Sequence, residues 1–181
     1  MARFKARKIS IIKNHQGHIT VESTPGKGST FFVYLPAADK EAVDIYKEDV
    51  RTYLGQGRIL VMDDNEEVRE IAAGLLSHAG YTVDLVNEGA EALSVYRQAQ
   101  ETGKRFDVVI LDLTIPGGMG GKEASEKILA VDPSAKIIVS SGYANDPIMA
   151  DYSKHGFSGV VPKPYKVQEL SKVVHDVLQT E

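Results

Sequence analysis

The chain contains no cysteine and no tryptophan, and aromatic residues make up only 7% of it. Without thiols, disulfides, thiolate metal sites and cysteine nucleophiles are excluded. No apolar run approaches the roughly 18 residues needed to cross a bilayer. The basic opening, residues 1–8, leads only into Ile9-Ser10-Ile11-Ile12, too short for the apolar core of a signal peptide. An excess of positive charge is also missing: 21 Lys and Arg stand against 25 Asp and Glu, a net charge of −4. That balance argues against a nucleic-acid or anionic-membrane surface as the main partner. The expectation is a soluble, cytoplasmic protein with no nucleic-acid partner and no membrane segment in this chain.

What the chain does have is enough apolar material, 43% of 181 residues, for one domain of ordinary size with a short attachment. From Arg58 onward, strand and helix patterns alternate five times. The first strand is Ile59-Leu60-Val61-Met62. A helix is predicted over 66–79, with Val68, Ile71, Ala72, Leu75, Leu76 and Ala79 at helical spacing, Asn65 as its cap and Gly80 as its stop. Strands follow at 81–86, 106–111, 136–140 and 159–161, and helices at 88–100, 121–131, 147–154 and 167–179. The nearly unbroken apolar run at 106–111 suits a central parallel strand covered on both faces. Alternating elements of this length imply a doubly wound α/β fold with a five-stranded parallel sheet.

The first 56 residues read differently. Residues 18–23 and 29–35 alternate as strands around Thr24-Pro25-Gly26-Lys27-Gly28, so they predict a β-hairpin. Residues 37–54 are charged, with Val43, Tyr46, Val50 and Tyr53 at a 3-4 spacing that predicts a short connecting helix. The expected organisation is a hairpin segment at 1–36, a charged linker at 37–56 and the α/β domain at 57–181.

Polar residues stand at the ends of four of the apolar runs: Asp63-Asp64, Asp112, Ser141 and Lys163. In an open parallel sheet the carboxyl ends of the strands converge on one crevice, where ligands bind. Three carboxylates, a hydroxyl and an ammonium sharing a pocket suit a hard divalent cation and a phosphoryl group. Magnesium commonly takes one or two carboxylates with waters and phosphate oxygens, and manganese is the alternative ion. Asp112 is also a candidate nucleophile, since carboxylates form acyl phosphates. Each member alone has an ordinary explanation: a helix cap for Asp63-Asp64, a polar strand end for Asp112, loop chemistry for Ser140-Ser141-Gly142, a solvated lysine at 163. Their joint occurrence in this order carries the signal.

These segments, with Val109-Ile110-Leu111-Asp112-Leu113-Thr114-Ile115-Pro116 and Pro162-Lys163-Pro164-Tyr165, resemble the response-regulator receiver domain of two-component signalling over 58–179. The resemblance implies a flavodoxin-like sheet of strand order 2-1-3-4-5. It makes Asp112 the phosphoacceptor, Asp64 and Asp112 direct magnesium ligands, Asp63 a ligand through water, and the Thr114 carbonyl a further ligand. Ser141 and Lys163 match the hydroxyl and lysine that contact the phosphoryl group, and a cis peptide is implied before Pro164. The implied partner is a phosphohistidine, on a histidine kinase or a histidine phosphotransfer protein. Two features depart from the family: Val160 stands where many receivers carry a switching aromatic, and the loop at 116–121 has an extra glycine. Thr114 and Tyr143, two residues beyond Asp112 and Ser141, are placed to flank attacking water, with Tyr143 shielding by bulk.

Residues 11–36, with His15-Gln16-Gly17-His18-Ile19 and the glycine turn, resemble the end of a histidine-kinase ATPase domain. That domain's asparagine motif, Asp-x-Gly motif and lid glycines are not here, and none of His15, His18, His78, His155 and His175 has the His-Glu context of a phosphohistidine. The chain therefore resembles the tail of a hybrid histidine kinase, and neither an independent enzyme nor an output domain after the last helix is expected. Its uncovered hairpin edges are expected to be poorly ordered or to pair with another chain.

Gly117 to Lys122 fails as a P-loop, because Pro116 occupies the first glycine position and Glu123 the Ser/Thr position. Gly26-Lys27-Gly28 fails as a dinucleotide fingerprint. The enzyme alternative is a haloacid-dehalogenase-type phosphatase, but that family places a second acid where Thr114 stands. The remaining alternative is a degenerate receiver that acts only as a docking surface.

Overall fold

The computed structural model describes residues 12–13, 15–37, 52–142 and 147–180. The chain divides at residues 48 and 49 into two compact units. In the first, β1 (His18–Thr24) and β2 (Gly28–Tyr34) pair antiparallel, from His18 opposite Tyr34 to Thr24 opposite Gly28. The turn closes through the Lys27 N–H to the Thr24 carbonyl at 3.0 Å. Gly26 has φ +78° and Gly28 φ +101°, a left-handed region costly for residues with a Cβ. Val21, Val33 and Leu35 are each more than half exposed. The helix expected over 37–54 falls mostly outside the described residues, and 52–54 are not helical.

The second unit alternates strand and helix. The strands are β3 (Arg58–Met62), β4 (Thr82–Val86), β5 (Val108–Asp112), β6 (Ile137–Ser141) and β7 (Gly159–Pro162). The helices are α1 (Glu66–His78), α2 (Gly89–Glu101), α3 (Gly121–Val131), α4 (Pro147–Ala150) and α5 (Val167–Gln179). All five strands run parallel in the order β4-β3-β5-β6-β7. This is the 2-1-3-4-5 order expected.

Strand side chains alternate between two cores. Leu60, Met62, Val109, Leu111 and Val139 pack with Ala92, Tyr96, Ala124 and Ile128 of α2 and α3. Ile59, Val61, Val108, Ile110 and Ile138 pack with Ala72 and Leu76 of α1 and Leu170 and Val174 of α5. Val108, Ile110 and Leu111 are wholly buried, each stabilising by about 1.5–3 kcal/mol relative to exposure. Truncating Ile110 to alanine would cost about 2–5 kcal/mol, because β5 has helices on both sides and little room to collapse.

Local chemistry sets the helix ends. Asn65 Oδ1 accepts the Glu67 and Val68 N–H groups at 2.9 and 3.3 Å, which caps α1. At the other end Gly80 takes φ +98°, and the Tyr81 and Gly80 N–H groups return to the carbonyls of Leu76 and Ser77. This is the Schellman closure, and it requires the left-handed residue that glycine supplies. The helix expected at 147–154 is instead the short α4 followed by a 3₁₀ turn, Tyr152–His155. Asp151, with φ −119° and ψ 36°, breaks the α-helix between them.

Tyr53 and Gly55 already belong to this unit. The Tyr53 N–H donates to Ser171 Oγ at 3.2 Å, its ring lies 5.7 Å from that of His175, and the Gly55 N–H donates to the Ala79 carbonyl at 2.9 Å.

Candidate functional site

The parallel order brings the carboxyl ends of β3, β5, β6 and β7 to one edge of the sheet. There Asp63, Asp64, Asp112, Thr114, Ser141 and Lys163 line a single cleft, with Val68 and Pro116 on its walls. Tyr143 lies outside the described residues. Pro164 follows Lys163 through a cis peptide, as the resemblance implied.

Two of the three carboxylates are buried: Asp63 is 1% exposed and Asp112 7%, whereas Asp64 is exposed. One oxygen from each lies within 4.8 Å of the others. Lys163 Nζ is 2.9 Å from Asp112 Oδ2 and also pairs with Asp63 Oδ2. Asp63 Oδ1 accepts the Asn65 N–H at 3.0 Å, while its buried Oδ2 has the Lys163 charge beside it but no aligned hydrogen bond. Burial pushes the Asp112 carboxyl above the ordinary carboxylate range. Lys163 and the Thr114 N–H draw it back, and the neighbouring Asp63 charge adds to the rise.

Three acids against one ammonium leave a surplus of negative charge in a partly desolvated cleft. Oxygen donors clustered this closely, one of them buried without a hydrogen bond, fit a hard divalent cation such as magnesium. Asp63, Asp64 and Asp112 are the side chains that would hold it.

Helix α3 must start very close to the site. A Cβ on Gly121 would fall 2.5 Å from the Asp112 carbonyl oxygen, so a glycine there lets α3 approach the end of β5. Ser141 is buried, and its carbonyl accepts the Lys163 N–H at 2.9 Å, which fixes the lysine to the neighbouring strand. Val160 sits partly buried against the α2–α3 core, in the position the aromatic would take.

Two supports were not singled out from sequence. Arg69 of α1 reaches back to donate to the Asp63 carbonyl at 2.5 Å. Tyr165 Oη lies 2.9 Å from Ser140 Oγ. Arg69 follows the cap Asn65 by one helical turn, which was its only sequence signal. The Ser140–Tyr165 pair had none, because its members lie on different elements.

Residues 59–175 match the response regulator receiver domain family. The chain is 29% identical over 180 residues to the sensor kinase CckA of Brucella abortus, matching 94% of this chain and 19% of that protein. It therefore spans about a fifth of that relative's length. It is 31% identical to the chemotaxis protein CheY of Thermotoga maritima, covering 64% of this chain and 96% of CheY. Among solved structures, CheY4 of Vibrio cholerae superposes with a TM-score of 0.59 at 26% identity, over 68% of this chain and 99% of CheY4. Fold, cleft and likeness agree, and the chain belongs to the response-regulator receiver family of two-component signal transduction.

Proposed function

We propose that Asp112 accepts a phosphoryl group from a phosphohistidine. The observation that carries this is the position of its carboxylate: at the end of the central strand, nearly buried, 2.9 Å from an ammonium and beside two further acids. An Asp112 carboxylate oxygen forms the new bond to phosphorus as the phosphorus–nitrogen bond of the donor breaks. The electron pair of that bond returns to the imidazole. In this reading Lys163 follows the charge onto the phosphoryl oxygens, and the Ser141 hydroxyl, lining the same cleft, donates to another. Bound by Asp63, Asp64, Asp112 and the Thr114 carbonyl, magnesium would neutralise phosphoryl oxygens during transfer.

The donor is a histidine kinase or a histidine phosphotransfer protein, and the parent polypeptide is a hybrid histidine kinase. The likeness to a sensor kinase over nearly the whole chain supports that reading, as does the hairpin with its ATPase-like glycine turn. The cytoplasm is the fitting compartment. Among the described residues no helix is long and apolar enough to cross a membrane.

Incubation with acetyl phosphate and magnesium, read by intact mass, tests the assignment. One added phosphoryl group is expected on the parent chain and none on Asp112→Asn. An Asp112→Asn chain that gains the group as the parent does would refute it.

A further inference from the structure

Lys163 reaches two carboxylates from a short loop between β7 and α5, and that loop is tied to β6 at two consecutive residues. On one side the Lys163 N–H donates to the Ser141 carbonyl at 2.9 Å. On the other, Tyr165 Oη and Ser140 Oγ share a hydrogen bond of 2.9 Å. Ser140 is wholly buried and lies directly beside Asp112 in the sheet register. Its carbonyl accepts the Leu113 N–H at 3.0 Å, so Ser140 also holds the backbone next to the reactive aspartate.

We infer that Tyr165 is a positioning residue for phosphoryl transfer: its hydroxyl, bonded to Ser140, holds the Lys163 loop so that the ammonium stays in reach of the group on Asp112. The inference rests on the reading of Asp112 as the phosphoacceptor. Tyr165 touches none of the reacting atoms. Burial raises the pKa of its phenol; the bond to Ser140 draws it back in part, and the charges of Asp63 and Asp112 add to the rise, so the phenol stays a neutral hydrogen-bonding partner.

The physical need is specific to this chemistry. During transfer Lys163 must release two carboxylates and meet a phosphoryl oxygen, and a loop free to drift by an ångström would lose that contact. The backbone bond to Ser141 fixes where Lys163 begins. The Tyr165–Ser140 bond fixes where the loop goes two residues later, across Pro164. Together they leave the side chain, rather than the backbone, to make the exchange.

Three variants of the full chain separate this role from simple stabilisation: Tyr165→Phe, Ser140→Ala and the double variant. Each single change leaves a partner unsatisfied and lowers the melting temperature, whereas removing both groups together is nearly neutral. The maximal rate of phosphorylation by acetyl phosphate is expected to fall about five- to tenfold in each single variant, the size of one buried hydrogen bond. Half-saturating magnesium should stay unchanged. In the double variant the melting temperature recovers but the rate stays low, because the tether is still gone. A rate that recovers with stability, or single variants that react at the parent rate, would overturn the inference. Hydrogen exchange at the Lys163 amide decides the tether independently: faster in all three variants if it exists, unchanged if it does not. If the parent chain accepts no phosphoryl group, the reading of Asp112 fails, and amide exchange still settles the tether.

Discussion

Lys163 Nζ stands 2.9 Å from Asp112 Oδ2 while also pairing with Asp63, so one ammonium bridges the two buried acids of the cleft. Asp64 completes the acidic cluster from the solvent side. The Lys163 ammonium thus compensates two of the acids, and Asp64 adds the negative charge that a divalent cation would meet. The charge balance of the cleft rests on that arrangement, and so does the phosphoryl chemistry proposed for it.

Lys163→Met should leave Asp63 and Asp112 facing each other with no cation. Losing one partner of a buried ion pair costs roughly 3 kcal/mol or more. Urea unfolding in chelator is expected to show an unfolding free energy lower by that amount, seen as an earlier midpoint, with magnesium recovering more stability than in the parent. An unchanged midpoint would show that the lysine does not carry the site's charge balance.

Magnesium should raise the melting temperature of the parent by mass action, stabilising by about 2.7 kcal/mol at a hundred times its dissociation constant. Asp64 is exposed, so Asp64→Ala should fold as well as the parent without the ion. It should need at least about tenfold more magnesium for the same shift, the loss of about 1.4 kcal/mol of binding. If titration by thermal shift gives matching curves for both chains, Asp64 is not a ligand.

At the opposite end of the sheet from the site, Asp132 accepts from Tyr96 Oη and Gln100 Nε2 at 2.9 Å each, and from the Ser134 N–H and hydroxyl at 3.0 and 2.6 Å. The Ser134 hydroxyl foremost, with Tyr96, the Ser134 N–H and Gln100, holds this carboxyl below its ordinary value of 3.8, against the effect of burial. A depressed folded-state pKa contributes stability that is present above the unfolded value and lost as pH falls through the folded one. Asp132→Ala should therefore cost about 1–3 kcal/mol at neutral pH. Calorimetry should find that difference constant down to the ordinary carboxylate range and narrowing below it. A difference that grows in acid would reverse the assignment.

Residues 1–48 and the receiver should separate cleanly. A chain starting at residue 49 is expected to stay folded, accept phosphate as before and be more monomeric by light scattering, because exposed hairpin edges invite pairing. A chain starting at Gly57 also loses the hydrogen bonds of Tyr53 and Gly55. It should melt lower, by roughly 2 kcal/mol for the two bonds. Equal stability of the two truncations would mean that residues 53–55 merely rest on the surface.

How much was legible depended on the range of the forces involved. β5 could be read directly, because a parallel strand covered on both faces must be apolar at every position, as Val108 to Leu111 are. α1 was legible from Asn65 and Gly80, whose capping roles are local backbone chemistry. The region from Pro147 was misread as one helix. Its apolar spacing is helical, yet Ile148, Met149, Tyr152 and Phe157 all pack onto the α2–α3 core. Contact with that core, not local preference, decides where the helix breaks.

The sequence by itself determined the alternating architecture, the position of each polar residue at the end of an apolar run, and therefore the membership of the cleft. Periodicity and capping act within a few residues, and parallel strands all deliver their ends to one edge. Only the tertiary structure decided how those residues share charge: that Lys163 bridges Asp63 and Asp112, that Arg69 holds the Asp63 carbonyl, and that Tyr165 ties the lysine loop to Ser140. Those pairings join elements distant in the chain, and they depend on ångström distances and burial that no local pattern encodes.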